Sequence, residues 1–196
     1  MVLTASTMLE LGTSAPAFEL PDVVTGSPIS LETFKDKSAL LIMFICRHCP
    51  FVKHVQAELA KIGTDYANSE LGIVAISAND AEKYPDDAPD SLKEMVSEMG
   101  FNFPFCFDET QEVAKIYTAA CTPDFFLFDR DRCLVYRGQL DDSRPGNDIP
   151  VTGGDLRNAI DTLISGTTML VYEQKPSIGC NIKWKPGNEP SYFGAG

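Results

Sequence analysis

Two apolar segments separated by a helical pattern constrain the fold of this 196-residue chain more than any other feature. Residues 39–45 read ALLIMFI and residues 72–77 read GIVAIS, as expected for strands that are covered on both faces. Between them, apolar side chains recur at helical spacing and mark one buried helix face: Phe51, Val52, Val55, Leu59, Ile62 and Tyr66. Such a unit requires a right-handed crossover, which predicts parallel pairing of the two strands.

The middle of the chain continues the alternation of strands and helices. The acidic, proline-containing segment 81–90 should be a solvated loop. A helix is predicted over 91–100, with Ser91 as the N-cap of a capping box and Gly100 at its end. A short apolar segment follows, and then a further helical pattern over 108–120.

The last third of the chain predicts a hairpin, a helix and an appendage. Residues 123–138 read as two strands joined by a polar turn. Asp155 should cap a helix that ends near Ser165. We therefore expect one α/β domain over 1–165. The remainder, 166–196, is rich in Pro, Gly and Asn and should be an irregular extension packed on the same domain.

Charge and hydropathy exclude several classes of protein. The net charge of −12 and the absence of any run of Lys or Arg argue against nucleic acid and anionic membrane surfaces as partners. No apolar run reaches the ~18 residues that span a bilayer. The N-terminus lacks the basic and apolar regions of a signal peptide, so we expect a cytoplasmic protein.

Two of the six cysteines, Cys46 and Cys49, are spaced C-x-x-C where the first strand gives way to the first helix. Exposed N–H groups at a helix start favour a thiolate, and one turn can bring two such sulfurs within disulfide distance. Arg47 and His48 should stabilise the thiolate and make the disulfide a better oxidant. A zinc site would need a second ligand pair that the chain lacks. Redox chemistry is therefore favoured, with a metal site or inert thiols as alternatives.

Three segments carry a resemblance to a known family: GTSAPAFELPD (12–22), FICRHCPFVKH (44–54) and CTPDFFLFD (121–129). Together they resemble the thioredoxin superfamily, and within it the redoxin branch, which is alkyl hydroperoxide reductase/thiol-specific antioxidant-like. DDSRPGN and PSIGCNIKW resemble a poorly characterised bacterial subgroup. The resemblance implies a thioredoxin-like fold, with a central mixed sheet flanked by helices, an N-terminal extension and an irregular C-terminal tail.

The resemblance also implies roles for individual residues. Cys46 would be the exposed attacking thiol and Cys49 the more buried resolving thiol. Thr122 and Pro123 would form a cis peptide facing the dithiol, with the Thr122 backbone free to pair with an extended substrate. One feature favours the opposite order of the cysteines: Pro50 suits the first position of a helix, which would make Cys49 the N-cap.

The acidic residue that thioredoxins bury beneath their dithiol is absent, because Leu40 stands at that position. His48 or water would then have to accept the proton of the attacking thiol.

The expected function is thiol-disulfide exchange with protein or small-molecule disulfides and thiols, without a cofactor or metal. Antioxidant activity and cell redox homeostasis are the associated roles. A thiol peroxidase is the main alternative, although neither cysteine of the pair has the upstream Pro and Thr or Ser of that chemistry. A metal-binding or redox-sensing module could instead use Cys46, Cys49 and either His48 or His54.

Two further cysteines are candidates for redox chemistry. Cys121 stands two residues before Pro123, and Cys180 lies in a tail that also carries the single tryptophan, Trp184. A tail with this much apolar surface is not expected to be disordered, so it should pack against the domain. It either covers the rim of the dithiol site, with Cys180 as a third redox partner, or Trp184 anchors it on a remote helix face and leaves Cys180 inert.

Overall fold

The computed structural model describes residues 3–167 and 173–194. Within these residues the chain forms ten strands and four α helices. The strands are β1 (Leu3–Ala5), β2 (Glu19–Pro21), β3 (Pro28–Ser30), β4 (Ala39–Phe44), β5 (Leu71–Ser77), β6 (Phe105–Phe107), β7 (Cys121–Thr122), β8 (Asp124–Phe128), β9 (Leu134–Gly138) and β10 (Ile178–Asn181). The α helices are α1 (Pro50–Asp65), α2 (Pro89–Met99), α3 (Glu112–Ile116) and α4 (Gly154–Ile164), and short 3-10 helices cover Leu31–Phe34 and Pro85–Asp87.

A five-stranded mixed sheet forms the centre of the domain, in the order β6-β5-β4-β8-β9. β4 pairs with β5 in parallel, which confirms the arrangement expected from the two apolar runs. β8 and β9 form the predicted antiparallel hairpin, and β8 also pairs antiparallel with β4. All six residues of β4 are buried, because this central strand is covered on both faces.

Each face of the sheet carries its own apolar core. One core joins the sheet to the inner faces of α1, α2 and α4, represented by Leu59, Leu92 and Ile160. The other packs Tyr117 and Trp184 against the opposite face of the sheet. The mixed sheet flanked by helices is the thioredoxin-like architecture that the sequence predicted.

The starts of two helices differ from the prediction. α2 begins at Pro89 with Ala88 as its N-cap, so Ser91 lies inside the helix, while Gly100 ends it in a left-handed conformation as expected. Gly153, not Asp155, is the N-cap of α4, and its N–H is bound by a carboxylate from an earlier loop. In both helices the conformation of the preceding loop decides which residue is the N-cap, and the local sequence pattern does not indicate that conformation.

The helix predicted over 108–120 is reduced to the five residues of α3. Its N-cap, Gln111, has a left-handed backbone with φ 66°, and Thr118 beyond its end has φ 51°. The side chain of Gln111 donates hydrogen bonds to the carbonyl oxygens of Ala78 and Lys183. Two left-handed residues therefore interrupt the pattern on either side of α3.

The C-terminal tail is more ordered than predicted in the part that the structure describes, and residues 168–172 and 195–196 lie outside that part. Its strand β10 lies between β1 and β7 in a second, three-stranded antiparallel sheet. Trp184 is buried, and its ring makes an edge contact with the ring of Tyr192. Among the residues that the structure describes, no helix is both long and apolar enough to cross a bilayer.

Candidate active site

The C-x-x-C segment lies between the carboxyl end of β4 and the first turn of α1. Pro50 occupies the first position of α1, and Cys49 is the N-cap with an extended backbone. Proline suits this position because its missing N–H would have no partner inside the helix. Cys49 therefore sits at the exposed N–H groups and the positive end of the α1 dipole.

Cys46 is buried, which contradicts the expectation of an exposed attacking thiol. Its Sγ lies 3.4 Å from Oγ1 of Thr122 and 4.0 Å from Nδ1 of His48. Burial, followed by the neighbouring Cys49 thiol, raises the pKa of Cys46 well above its ordinary value. Cys46 is accordingly a neutral thiol at pH 7 in the reduced protein.

Cys49 is also buried, but its surroundings favour the charged form. Its Sγ lies 2.9 Å from Sγ of Cys180, and in its neutral form the thiol can donate to the carbonyl oxygen of Thr122 at 3.2 Å. The thiol of Cys46 contributes most to lowering the pKa of Cys49 to about 4, with further contributions from Cys180, Thr122 and the backbone N–H of Val52. The neighbouring thiols and the start of α1 thus favour negative charge on Cys49, the N-cap residue, over Cys46.

The peptide bond between Thr122 and Pro123 is cis, as the resemblance implied, and faces the dithiol. The backbone of Thr122 is not free, however, which corrects the expectation of an open edge for an extended substrate. Thr122 is the register partner of Cys180 in the antiparallel pair of β7 and β10. The chain's own tail thus occupies the position beside the dithiol.

Asp87 is a functional residue that was not predicted, since its segment was expected to be a solvated loop. One carboxylate oxygen of Asp87 accepts the backbone N–H groups of Arg47 and His48, at 2.8 and 3.1 Å. The other binds Nδ1 of His48 and accepts the amide of Asn79 at 2.7 Å.

Burial would raise the pKa of Asp87, but hydrogen bonds from His48 and Asn79 outweigh it, so the pKa lies below its ordinary value. Asp87 holds the backbone between the two cysteines in place. The sequence gives little sign of this role, because nothing in the local pattern distinguishes Asp87 from its neighbour Asp86, which is exposed in the structure.

Arg47 and His48 play different parts from each other. The guanidinium of Arg47 contacts the carboxylates of Glu94 and Glu98, at 2.7 and 3.0 Å, on the outer face of α2. These ion pairs hold the guanidinium against α2, so we expect Arg47 to stabilise the thiolate less than the sequence suggested. His48 stays beside Cys46, and its ring stacks on that of Tyr84 at 5.3 Å.

The other candidate cysteines differ in their distance from the dithiol. Cys180 approaches Cys49 far more closely than the roughly 10 Å beyond which direct exchange would require movement of the tail. Sγ of Cys121 instead faces the carbonyl oxygens of Pro123 and Ser177, at 3.6 and 3.9 Å. Burial raises the pKa of Cys121 well above its ordinary value. Cys180, but not Cys121, is therefore brought against the dithiol.

The residues that could ligate a metal differ from the expected set. Among the described residues, Cys46, His48 and Asp87 place one ligand atom each within 4.8 Å of one another. His54, an alternative ligand in the sequence analysis, is hydrogen-bonded through Nε2 to Ser143 at 2.7 Å.

The family of the chain follows from comparison with known proteins. The sequence model of the Redoxin family matches residues 10–156. The chain belongs to the redoxin family. This redoxin is 55% identical to an uncharacterized conserved protein from Geobacillus kaustophilus, over 95% of this chain and 98% of that chain, with a TM-score of 0.92. It is 49% identical to a hypothetical protein from Sinorhizobium meliloti 1021, over 94% and 100% of the two chains, with a TM-score of 0.91.

More distant relatives agree with the fold. The thioredoxin domain of a thiol-disulfide oxidoreductase from Bacteroides vulgatus is 21% identical, over 80% of the redoxin and 99% of that domain, with a TM-score of 0.62. Protein FixW from Rhizobium leguminosarum is 22% identical over 138 residues, which are 67% of the redoxin and 62% of FixW. The redoxin thus spans less than two thirds of the length of FixW.

Proposed function

We propose that this redoxin is a thiol-disulfide oxidoreductase whose dithiol is formed by Cys46 and Cys49. The observation that carries the proposal is the placement of Cys49 as the N-cap of α1 and between two other thiols, of which Cys46 contributes most to lowering its pKa to about 4. The thiolate, not the thiol, is the nucleophile in disulfide exchange. The order of the two cysteines is the reverse of the one that the resemblance implied.

The reaction proceeds in two exchanges. The Cys49 thiolate attacks one sulfur of a substrate disulfide, forms a mixed disulfide and releases the other sulfur as a thiolate. The thiol of Cys46 then loses its proton and attacks the sulfur of Cys49. The second half of the substrate leaves as a thiol, and a Cys46–Cys49 disulfide remains, so two electrons pass from the dithiol to the substrate.

The proton of Cys46 passes to the departing thiolate, so that the second half of the substrate leaves as a thiol. Nδ1 of His48 lies 4.0 Å from Sγ of Cys46 and donates to the carboxylate of Asp87, so this nitrogen already carries a proton. The pair of His48 and Asp87 therefore keeps the imidazole ring beside Cys46, and the leaving group is the proton acceptor that the sequence lacks at Leu40.

The burial of the site favours small disulfides. Cys46 and Cys49 are both 0% exposed, and Cys180 is 1% exposed. A folded protein disulfide could reach Cys49 only after neighbouring segments move apart, whereas a small disulfide requires a smaller opening. We therefore expect faster exchange with oxidised glutathione or cystine than with a folded protein substrate.

The test is trapping of the mixed disulfide. Reduced protein is exposed to oxidised glutathione, quenched with acid, alkylated and mapped by mass spectrometry. Cys49→Ser should abolish glutathione adducts within the site, while a Cys46→Ser/Cys180→Ser double variant should accumulate glutathione on Cys49. Cys133→Ser is the matched control, since Cys133 lies outside the site, and it should behave as wild type. Undiminished exchange in Cys49→Ser would refute the proposal.

Metal binding is a second candidate, favoured by the cluster of Cys46, His48 and Asp87. The carboxylate of Asp87 already accepts hydrogen bonds from two backbone N–H groups and from Asn79. A cation there would have to compete with these donors, so the cluster fits a positioning role better. Retention of stoichiometric zinc by the reduced protein after dialysis, lost in His48→Ala, would instead support the metal site.

A further inference from the structure

We propose that Cys180 is a third redox-active residue, which forms a disulfide with Cys49 in alternation with the Cys46–Cys49 disulfide. The proposal rests on the proposed function, because it requires Cys49 to be the nucleophile. It extends that function by giving Cys49 two intramolecular partners, one on each side: Cys46 before α1, and Cys180 on the tail strand β10.

The distance between the two sulfurs is the first argument. Sγ of Cys49 and Sγ of Cys180 lie 2.9 Å apart. A disulfide bond is about 2.05 Å long, so the two atoms need to approach by only about 0.9 Å. Side-chain rotation can supply a change of this size without any displacement of the strand.

The strand β10 is held from both sides, so that the fold itself fixes the position of Cys180. Cys180 is in register with Thr122 of β7 and with Leu3 of β1. Just before the strand, the hydroxyl of Ser177 donates to the carbonyl oxygen of Pro123 at 2.7 Å, and its own carbonyl oxygen accepts the N–H of Ser6 at 2.8 Å. Cys180 is therefore carried by the central strand of a sheet and not by a loose end.

Gly179 permits this close approach. A Cβ added at Gly179 would lie 2.0 Å from the carbonyl oxygen of Thr122, which is a backbone atom. An ordinary contact begins at 3.4 Å, so any side chain here would push β10 away from β7 by more than about 1 Å. Glycine, which has no Cβ, is thus the residue at position 179 that allows the sulfur of Cys180 to reach Cys49.

Cys121 provides an internal comparison. It lies on the neighbouring strand, in register with Asn181, and is as buried as Cys180. Its sulfur nevertheless faces two carbonyl oxygens and not another sulfur. The contact of Cys180 with Cys49 is therefore specific to its position and is not shared by every cysteine near the site.

The chemistry starts from the mixed disulfide between Cys49 and a small-molecule disulfide such as oxidised glutathione. The thiol of Cys180 attacks the sulfur of Cys49, its proton passes to the departing glutathione thiolate, and a Cys49–Cys180 disulfide forms. Cys46 can then attack the same sulfur of Cys49. Cys180 leaves and takes up the proton that Cys46 releases, so this last exchange moves the disulfide without a net transfer of electrons.

The charge on Cys49 gates the reactivity of Cys180. Burial, followed by the hydrogen bond and the charge of Cys49, raises the pKa of Cys180 to about 12. Once Cys49 is in a mixed disulfide it carries no charge, and two of these causes disappear. The positive charge of Lys183, which favours the Cys180 thiolate, remains. Loss of the charge on Cys49 thus lowers the pKa of Cys180 and favours its attack, while burial, the largest cause, continues to raise that pKa.

The experiment uses the Cys46→Ser variant of the full chain, which removes the competing partner. After oxidation with glutathione disulfide, quenching with N-ethylmaleimide and non-reducing peptide mapping, we expect a peptide pair linked through Cys49 and Cys180. The matched control Cys46→Ser/Cys121→Ser should keep the link. Glutathione on Cys49 together with an alkylated, unlinked Cys180 would overturn the inference but leave the proposed function intact.

A second variant tests the geometry without removing a sulfur. Gly179→Ala, added to Cys46→Ser, should slow formation of the link by about 100-fold, the loss that a misplacement of about 1 Å can cause. Circular dichroism and thermal unfolding establish that the variant is folded, and reaction of Cys49 with glutathione establishes that the thiolate is intact. A link that forms at the unmodified rate would contradict the argument. If Cys49 reacts in none of the variants, the proposed function itself fails.

Discussion

Replacing Cys180 with alanine should raise the pKa of Cys49. Sγ of Cys180 lies 2.9 Å from Sγ of Cys49, and its thiol is one of the groups that stabilise the thiolate. Alanine removes this donor and leaves the other stabilising groups of the site in place. Serine at the same position retains a donor, so Cys180→Ser should change the pKa less than Cys180→Ala.

The size of the effect follows from the strength of a hydrogen bond to a charged group, about 1.5–3 kcal/mol. One pKa unit corresponds to about 1.4 kcal/mol, so the loss should amount to about 1–2 units. Since the pKa of Cys49 starts at about 4, it should rise to about 5–6 in the alanine variant. Cys49 would still be a thiolate at pH 7, so measurements at neutral pH alone would miss the change.

The assay is the rate at which iodoacetamide alkylates Cys49, measured from pH 3 to pH 8 and resolved by peptide mass. The midpoint of the rate profile reports the pKa, because only the thiolate reacts. Cys121→Ala is the matched control, since its sulfur makes no contact with Cys49 among those described, and it should leave the midpoint unchanged. Equal midpoints in wild type and Cys180→Ala would refute the role assigned to the Cys180 thiol.

Three further expectations follow from the site. The pKa of Cys49 is about 4 in the folded chain, against an ordinary value of 9.0, so the unfolded chain binds more protons between these values. The free energy of unfolding of the reduced protein, measured in urea, should therefore increase as the pH rises from about 4 towards 9. Cys49→Ala should flatten this increase, and an unaltered slope would contradict the expectation. Asp87→Asn should lower the free energy of unfolding by about 1–3 kcal/mol, because an amide nitrogen replaces one of the two carboxylate oxygens and cannot accept the hydrogen bonds made to it. The exposed Asp86→Asn should change this free energy by less than about 0.5 kcal/mol. Arg47→Gln should shift the midpoint potential of the Cys46–Cys49 couple by less than about 30 mV in a glutathione redox titration, because the guanidinium pairs with carboxylates of α2. A larger shift would show that the charge of Arg47 acts on the dithiol.

The sequence by itself determined those features that depend on local patterns. Nearly continuous apolar runs identified β4 and β5, because a strand covered on both faces is buried at every position; Ser77 is the one polar residue of the two strands. Helical spacing identified α1, and the turn between two apolar strands identified the hairpin of β8 and β9. The placement of the C-x-x-C at the start of α1 followed directly, since it stands between a recognisable strand and a recognisable helix.

Only the tertiary structure decided which residues surround the dithiol. Asp87 lies about 40 residues from the backbone it holds, and Cys180 lies 131 residues from Cys49. β10 has only four residues, including a glycine and an asparagine, and therefore no alternation from which a strand could be predicted. The roles of Arg47 and of the two cysteines were likewise set by partners on α2, β7 and β10. Such contacts depend on how segments distant in the sequence pack together, and the periodicity of a short stretch of sequence does not predict them.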